Sequence, residues 1–363
     1  MKKICLPPYP FEKDMWDELA EQKIPIVIYG MGNGADKLIA RFEKLNIDFR
    51  DIFASDGFVR GHSFHGIRVK SFAEIKDTYS EFIIALSFGS NRPEVIEMLK
   101  EIDSEYNMVV PDMPVAGDDY FDKQFYNKNY SYILEAYNAL EDDLSRHIFA
   151  SCIWYKLTGR ISYLLDACCT TDDIYSLMGE EPEVIVDAGA YNGDTLREAI
   201  GYFKNLKLAH ALEPDKRNFK KLARFRDEYN GPVEIIAHNV AAWDRDAEGV
   251  FSGSGNRNSS ISATSSYEKR EEVTVLSRID TLISDKVDYV KYDVEGAEKE
   301  ALFGTEKLIR RDHPMLLVSL YHRSEDIFSI INYLKDEYPF YRFFLRRTPS
   351  IPAWEIALIA KGY

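Results

Sequence analysis

Short apolar runs bounded by turn residues alternate with helical periodicity in two separate parts of this chain, which is the pattern of βαβ units. In the first part Ile26–Tyr29 reads as a buried strand, followed by the turn Gly30-Met31-Gly32-Asn33-Gly34 and a helix over Asp36–Leu45. Further strands are predicted at Phe49–Ala54, Phe82–Leu86 and Met108–Val110, with a helix between the last two that turns Val95, Ile96 and Leu99 to one side. Residues 1–117 thus read as a small doubly wound domain. Residues 118–182 open rich in Tyr, Asn and Asp, become helically periodic at Tyr132–Leu140 and Leu144–Leu157, and read as a helical connector. The second unit, residues 183–363, opens on the β-branched strand Val184–Val186 and continues with strands at Leu208–Leu212, Val233–His238, Val287–Tyr292 and Met315–Leu320. Tyr341–Leu345 and Trp354–Ala360, joined by a Pro-containing loop, read as an antiparallel hairpin. The expected fold class is α/β, Rossmann-like, with a mostly parallel sheet closed by that hairpin. No internal repeat of fixed period is present. Each half has its own strands and helices, so a cut after Asp112 is expected to leave a C-terminal unit that folds alone.

Composition narrows the partners. With 363 residues, two domains are expected, and 45% apolar and 13% aromatic residues suffice to fill both. A net charge of −15 repels a phosphate backbone, so nucleic acid is not expected as a partner. No run reaches the roughly 20 apolar residues of a membrane span, and Pro7 and Pro8 interrupt any apolar run of a signal peptide. Cys5, Cys152, Cys168 and Cys169 match neither a disulfide framework nor a zinc spacing, which points to a reducing cytoplasm.

The chemistry lies in the second unit. Asp187-x-Gly189-x-x-x-Gly193, enclosing Ala190 and Tyr191, sits on a strand-to-helix turn where backbone can approach a ligand and a helix N-terminus favours anionic groups. Asp187 would oppose a pyrophosphate but suits the ammonium of a methionine moiety, which favours S-adenosylmethionine over NAD. Glu213, ending the next strand about 20 residues on, is where an acid accepts hydrogen bonds from ribose hydroxyls. Asn239 follows the third strand, within reach of an adenine or simply bonding its own turn. Asp293 and Glu295 project from the C-terminal edge of the sheet, where open α/β folds bind ligands, or else cap the helix starting near Ala297.

Val184–Gly193, Ala211–Pro214, Val290–Glu298 and Leu316–His322 resemble the FkbM family of methyltransferases, with similarity spanning Leu134 to Tyr363. Leu144-Ser145-Arg146, Phe344-Leu345-Arg346 and Trp354-Glu355 resemble bacterial members that act on carbohydrate or related secondary metabolites. The resemblance implies a class I methyltransferase fold, S-adenosylmethionine as donor and an oxygen acceptor. It also implies that Asp187, Gly189, Tyr191, Gly193 and Glu213 line the cofactor while Asp293 and Glu295 lie near the acceptor. Asp194-Thr195 departs from the small residue or Ser usual after the second glycine, but Thr195 is expected to cap the helix. Methyl transfer needs alignment of an acceptor oxygen, exclusion of water and a base. His322, just past a strand, has an ordinary pKa suited to that role, with Asp293 as its rival. No metal is assigned, because Asp293 and Glu295 lack a third ligand. The polar loop Phe251–Ser260 is a candidate cover, in which Arg257 could hold an anionic substrate.

In the first unit Gly30-x-Gly32-x-x-Ala35, with Gly34 and with Asp56 after the next strand, approximates a dinucleotide fingerprint. It resembles the small nucleotide-binding domain of some bacterial sugar acetyltransferases, which implies a uridine- or cytidine-type sugar nucleotide or NAD(P). The alternative is that the glycines only permit close helix packing. His62 and His65 read as surface residues. The expected activity is methyl transfer to a hydroxyl of a sugar-containing small molecule or glycan precursor. The competing readings are a nucleotide- or sugar-nucleotide-dependent oxidoreductase or isomerase centred on the first unit, and a non-catalytic S-adenosylmethionine-binding regulator. The oligomeric state is not legible.

Overall fold

The computed structural model describes residues 4–59, 61–179, 181–252, 260–261 and 271–362. In the N-terminal part, strands β1 (Ile26–Tyr29), β2 (Asp51–Ala54), β3 (Ser63–Phe64), β4 (Ile67–Ser71), β5 (Ile83–Leu86) and β6 (Asn107–Val109) form one sheet in the order β3-β4-β2-β1-β5-β6. β1 lies between β2 and β5, parallel to both, and every one of its residues is buried. That two-sided burial is why it reads as a continuous apolar run. The hairpin β3–β4 was not expected. Of the residues in β4 only Val69 is buried, so its apolar signal is a single residue deep. The turn that makes it is formed by His65 at φ 49° and Gly66 at φ 75°. His62 and His65 are exposed, and His65 Nε2 lies 2.7 Å from Asp36.

In the C-terminal part, β7 (Val184–Ala188), β8 (Leu208–Leu212) and β9 (Glu234–His238) are followed by β10 (Val240–Ala242), β11 (Ala247–Ser252), β12 (Ser260–Ile261) and β13 (Glu271–Ser277). The last four make a side sheet, β10-β13-β11-β12. Strands β14 (Tyr289–Tyr292), β15 (Met315–Ser319), β16 (Tyr341–Arg347) and β17 (Ile356–Gly362) complete a seven-stranded sheet ordered β16-β17-β15-β14-β7-β8-β9. β14, β15, β7, β8 and β9 run parallel, while β17 and β16 close the edge as the expected antiparallel hairpin. Strand order reverses between β7 and β14, so the crevice at their C-terminal ends is where this architecture accepts a ligand. Among the described residues no helix is long and apolar enough to cross a membrane.

The connector contains helices Lys123–Ala139 and Asp143–Thr158. Helix Asp143–Thr158 buries residues around its whole circumference, including His147, Phe149, Cys152 and Tyr155, as a helix enclosed between layers must. It packs on β16 and shares one continuous buried core with Val27, Tyr29 and Leu86 of the first sheet and Leu345 and Leu358 of the second. The halves are therefore joined through a common core, contrary to the expected independence of the C-terminal unit. An ion pair seals the junction: Lys156 Nζ lies 2.5 Å from Asp112 Oδ2, with side chains only 2% and 8% exposed. Removing one partner strands a buried charge, which costs about 3–5 kcal/mol, whereas replacing both with apolar groups of similar volume is close to neutral. In denaturant titrations, Asp112→Ala should therefore lose about 3–5 kcal/mol of stability. The double variant Asp112→Leu with Lys156→Met should recover most of it, and an additive loss in the double variant would show that the pair is not the source.

Candidate functional site

The register of β7 on β14 sets Asp187 opposite Lys291 on neighbouring strands. Lys291 Nζ then lies 3.2 Å from Asp187 Oδ1 and 3.5 Å from Asp293 Oδ2. Burial by itself lowers the pKa of this lysine, but the two carboxylates outweigh it and raise the value, so Lys291 is a fixed cation. Asp187 Oδ2 also accepts a hydrogen bond from Thr195 Oγ1 at 2.7 Å. The expected free carboxylate for a ligand ammonium is thus already paired with an ammonium from the protein. Thr195 is not the cap that was expected: Gly193, at φ 83°, is the N-cap of helix Asp194–Tyr202, and Thr195 lies inside it.

The turn after β7 touches the turn after β14. A Cβ on Gly189, whose φ is 87°, would stand 1.9 Å from the carbonyl oxygen of Asp293, so only glycine fits. Tyr191, also at positive φ, donates its backbone N–H to Glu213 Oε2 at 2.9 Å, and the N–H of Asp215 bonds Oε1 at 2.8 Å. Glu213 is buried at the end of β8, and burial pushes its carboxyl up to about 8 despite those two donors.

Gly189, Tyr191, Glu213, Asp293 and Glu295 line a cavity of about 220 Å³ at this edge, together with Thr195 and Lys291. Leu212, Pro214, Val240, Ala241 and Ala242 supply apolar wall. Four expected cofactor residues do not line it: Asp187, paired with Lys291, and Ala190, Gly193 and Asn239. Ala190 is fully buried and donates its N–H to the Leu212 carbonyl. Gly193 packs under Phe225. The Asn239 side-chain amide donates to the carbonyls of Glu213 at 2.8 Å and Pro214 at 3.2 Å, so it shapes the loop after β8.

His322 does not line the cavity. It is 1% exposed, with Nδ1 2.9 Å from Glu298 Oε1 and Nε2 3.6 Å from Asp293 Oδ1 and 3.7 Å from Glu295 Oε2. Burial would lower its pKa, but Glu298, Asp293 and Glu295 together raise it to about 10. The base expected at His322 therefore stands behind the cavity wall, among acids that favour the protonated imidazole. Asp293 is held below the ordinary carboxylate range: burial works against ionisation, but Lys291 and His322 prevail. Tyr321 Oη donates to it at 3.1 Å.

Sequence reasoning also missed Lys291 as a site residue, although a lysine inside the buried run Tyr289–Tyr292 signals a paired charge. It missed Glu298 too, which accepts the N–H groups of Val294 at 2.9 Å and Gly296 at 3.4 Å. With Asp293 and His322, Glu298 forms a set whose donor atoms all lie within 4.8 Å of one another, supplying the third ligand expected to be lacking.

The N-terminal glycines line a second cavity, of about 270 Å³, through Gly32 and Gly34. Two of them also serve packing. A Cβ on Gly30 would meet Ser87 Oγ at 2.7 Å, and one on Gly34 would meet the Ser87 carbonyl at 2.0 Å. Asp56 starts an exposed single turn, Asp56–Phe58, and does not line this cavity, so the acid of the fingerprint is not brought to its glycines. Val115 and Trp354 line both cavities. Arg257 and most of the polar loop around it lie outside the described residues.

The model of the Methyltransferase FkbM domain matches residues 187–345. The crystal structure of methyltransferase FkbM from Methylobacillus flagellatus KT is similar with a TM-score of 0.70 at 19% identity, covering 99% of this chain and 94% of that one. An SAH-bound methyltransferase from Podospora anserina has a TM-score of 0.32 at 12% identity, covering 68% and 99%. A Precorrin-6y C5,15-methyltransferase from Geobacter metallireducens GS-15 has a TM-score of 0.33 at 12% identity, covering 53% and 86%. No curated protein matches the chain. The segment that carries Gly189, Glu213, Asp293 and His322 at one sheet edge thus matches the methyltransferase FkbM domain, and the chain shares the fold of an FkbM methyltransferase along nearly its whole length.

Proposed function

We propose that the chain moves a methyl group from S-adenosylmethionine to a hydroxyl of a sugar-containing small molecule or glycan precursor. The observation that carries this reading is the buried Glu213 carboxyl beside the Gly189 turn. Each of its oxygens takes one backbone N–H and keeps a lone pair, the arrangement that suits the two hydroxyls of a ribose. The apolar wall of Val240, Ala241 and Ala242 suits an adenine face. Bound there, S-adenosylmethionine supplies a methyl carbon made electrophilic by its sulfonium. Asp293 and Glu295 hold the acceptor hydroxyl. With that donor in place, Asp293, held ionised by Lys291 and His322, would take the acceptor's hydroxyl proton as methyl transfer proceeds. Most of the acceleration comes from alignment and water exclusion, for which Tyr321, Val115 and Trp354 supply walls.

Trp354 gives the acceptor its chemical class. An indole shared by two adjoining cavities is a stacking surface for a sugar or nucleoside, so the non-reacting part of the acceptor extends toward Gly32, Gly34 and Lys37. This favours a methyltransferase whose N-terminal cleft serves the same acceptor over an oxidoreductase centred on that cleft, because Asp56 stands elsewhere. Four free cysteines accord with a cytoplasmic location.

Two outcomes test the reading. Calorimetry should detect S-adenosylhomocysteine binding, weakened by about 1–3 kcal/mol in Glu213→Ala. The sign of the pH effect follows from the raised carboxyl. Below about 8 Glu213 carries a proton. Ribose hydroxyls donate better to the ionised form, so affinity should rise with pH up to that value and flatten above it. In Glu213→Gln the rise should vanish, and a persistent rise would remove Glu213 from the cofactor site. The second outcome uses methyl-labelled donor with a panel of UDP-sugars, CDP-sugars and simple glycosides. Label should pass to a hydroxyl, and Asp293→Asn should slow that transfer by about 10²–10⁴-fold while leaving S-adenosylhomocysteine affinity nearly unchanged. Full turnover in Asp293→Asn would assign the proton to another group.

A further inference from the structure

We propose that Asp293, Glu298 and His322 form a divalent-cation site at the floor of the methyl-transfer cavity, with Glu295 beside it. The inference rests on the reading above only for what the ion would do, since binding of the ion is a separate property. Three observations carry it. The donor atoms of Asp293, Glu298 and His322 lie within 4.8 Å of one another, and they come from the turn after β14, the first residue of the helix that follows it, and the turn after the adjacent parallel strand β15. Although His322 and Glu298 are each 1% exposed, His322 Nε2 and Glu298 Oε2 have no hydrogen-bond partner. Buried polar atoms left in that state are costly, and an ion is one of the few things that satisfies several at once. Finally, His322 Nε2 stands 3.6 Å from Asp293 and 3.7 Å from Glu295. Those gaps exceed the roughly 2.7–2.9 Å of a charge-assisted hydrogen bond. They match donors that share one ion at about 2.0–2.2 Å from each.

Closure onto an ion needs little movement. Glu298 is anchored by the N–H groups of Val294 and Gly296, and His322 is enclosed, so both are preset. Asp293, 29% exposed at the cavity edge, is the arm that swings in. One imidazole with two carboxylates is an oxygen-rich set that suits Mn²⁺ or Mg²⁺ more than thiophilic metals. Because Asp293 and Glu295 both line the cavity, an open coordination position would face the acceptor hydroxyl. His322 would then act as a ligand of the ion.

The test uses the full chain, stripped with chelator and titrated with Mn²⁺ while electron paramagnetic resonance follows the free ion. One bound ion per chain is expected. His322→Gln and Glu298→Gln should each weaken binding by about 10–100-fold or more, while Asp56→Asn, exposed and far from the cluster, should not. S-adenosylhomocysteine calorimetry on the same variants reports whether the site remains folded. If a variant fails to fold, the wild-type chain decides: in ¹⁵N-histidine-labelled protein Mn²⁺ should broaden the imidazole resonances of His322 and spare those of His65. No Mn²⁺ bound by the folded wild type, binding unchanged in both folded variants, or His322 resonances left sharp would overturn the site. The two readings fail separately. Mn²⁺ bound without S-adenosylhomocysteine leaves the ion site standing and sinks the donor assignment, and the opposite result does the reverse.

Discussion

The buried lysine at the centre of the second sheet governs the chemistry around it. A charge taken out of water costs several kcal/mol unless it is paired at close range, and Lys291 is paired twice, with Asp187 on β7 and with Asp293 two residues along its own chain. The pairing follows from strand register. A slip of one residue between β7 and β14 would turn Lys291 to the opposite face and leave Asp187 and Asp293 buried without a counter-charge. Keeping the register therefore keeps the cluster. It also divides the carboxylates by function: Asp187 is consumed by structure, while Asp293 is held ionised with part of its surface on the cavity.

The same register brings the two ligand-binding turns into contact. Gly189 lies against the carbonyl of Asp293, so a shift of the turn after β7 moves the carboxylate on the cavity edge. Beyond β14 the chain folds Glu298 back onto its own turn, and beyond β15 it delivers His322 between Glu298, Glu295 and Asp293. The residues proposed to hold donor and acceptor are thus on neighbouring strand ends of one sheet. Geometry between them is set by backbone contacts more than by flexible side chains.

How much of this could be read from the sequence depended on the kind of signal. Strands buried on both faces, such as Ile26–Tyr29 and Val184–Ala188, announce themselves as apolar runs, and the Gly189 turn with Glu213 gives a spacing that locates the cavity at the sheet edge. Strand β4 was missed because a half-exposed edge element with one buried residue carries almost no periodicity. The common core was missed because helix Asp143–Thr158 is buried all round, and no sequence pattern tells which layers enclose such a helix. His322 was found in sequence, but its surroundings were not. Its ordinary pKa was the basis of the argument, and the three acids that change it converge only in space. Asp56 failed for the opposite reason, since its spacing suited a ribose but a single exposed turn carries it away from the glycines.

The N-terminal domain belongs to the site through backbone as well as core. Ala116 donates its N–H to the carbonyl of His322 at 2.9 Å, and a Cβ on Gly296 would stand 2.5 Å from the Ala116 Cβ. The segment leaving the first domain therefore lies directly on the turns that hold Glu295 and His322. On the other side, Ser90 and Ile351 exchange backbone hydrogen bonds of 2.7 and 3.0 Å, and Gly89 packs so closely on the Trp354 ring that a Cβ there would lie 2.4 Å from it. These two contacts fix Val115 and Trp354, the residues that both cavities share. The first domain therefore covers this part of the second sheet's edge, so the position of its cleft and the shape of the wall that both cavities share are a single property of the fold.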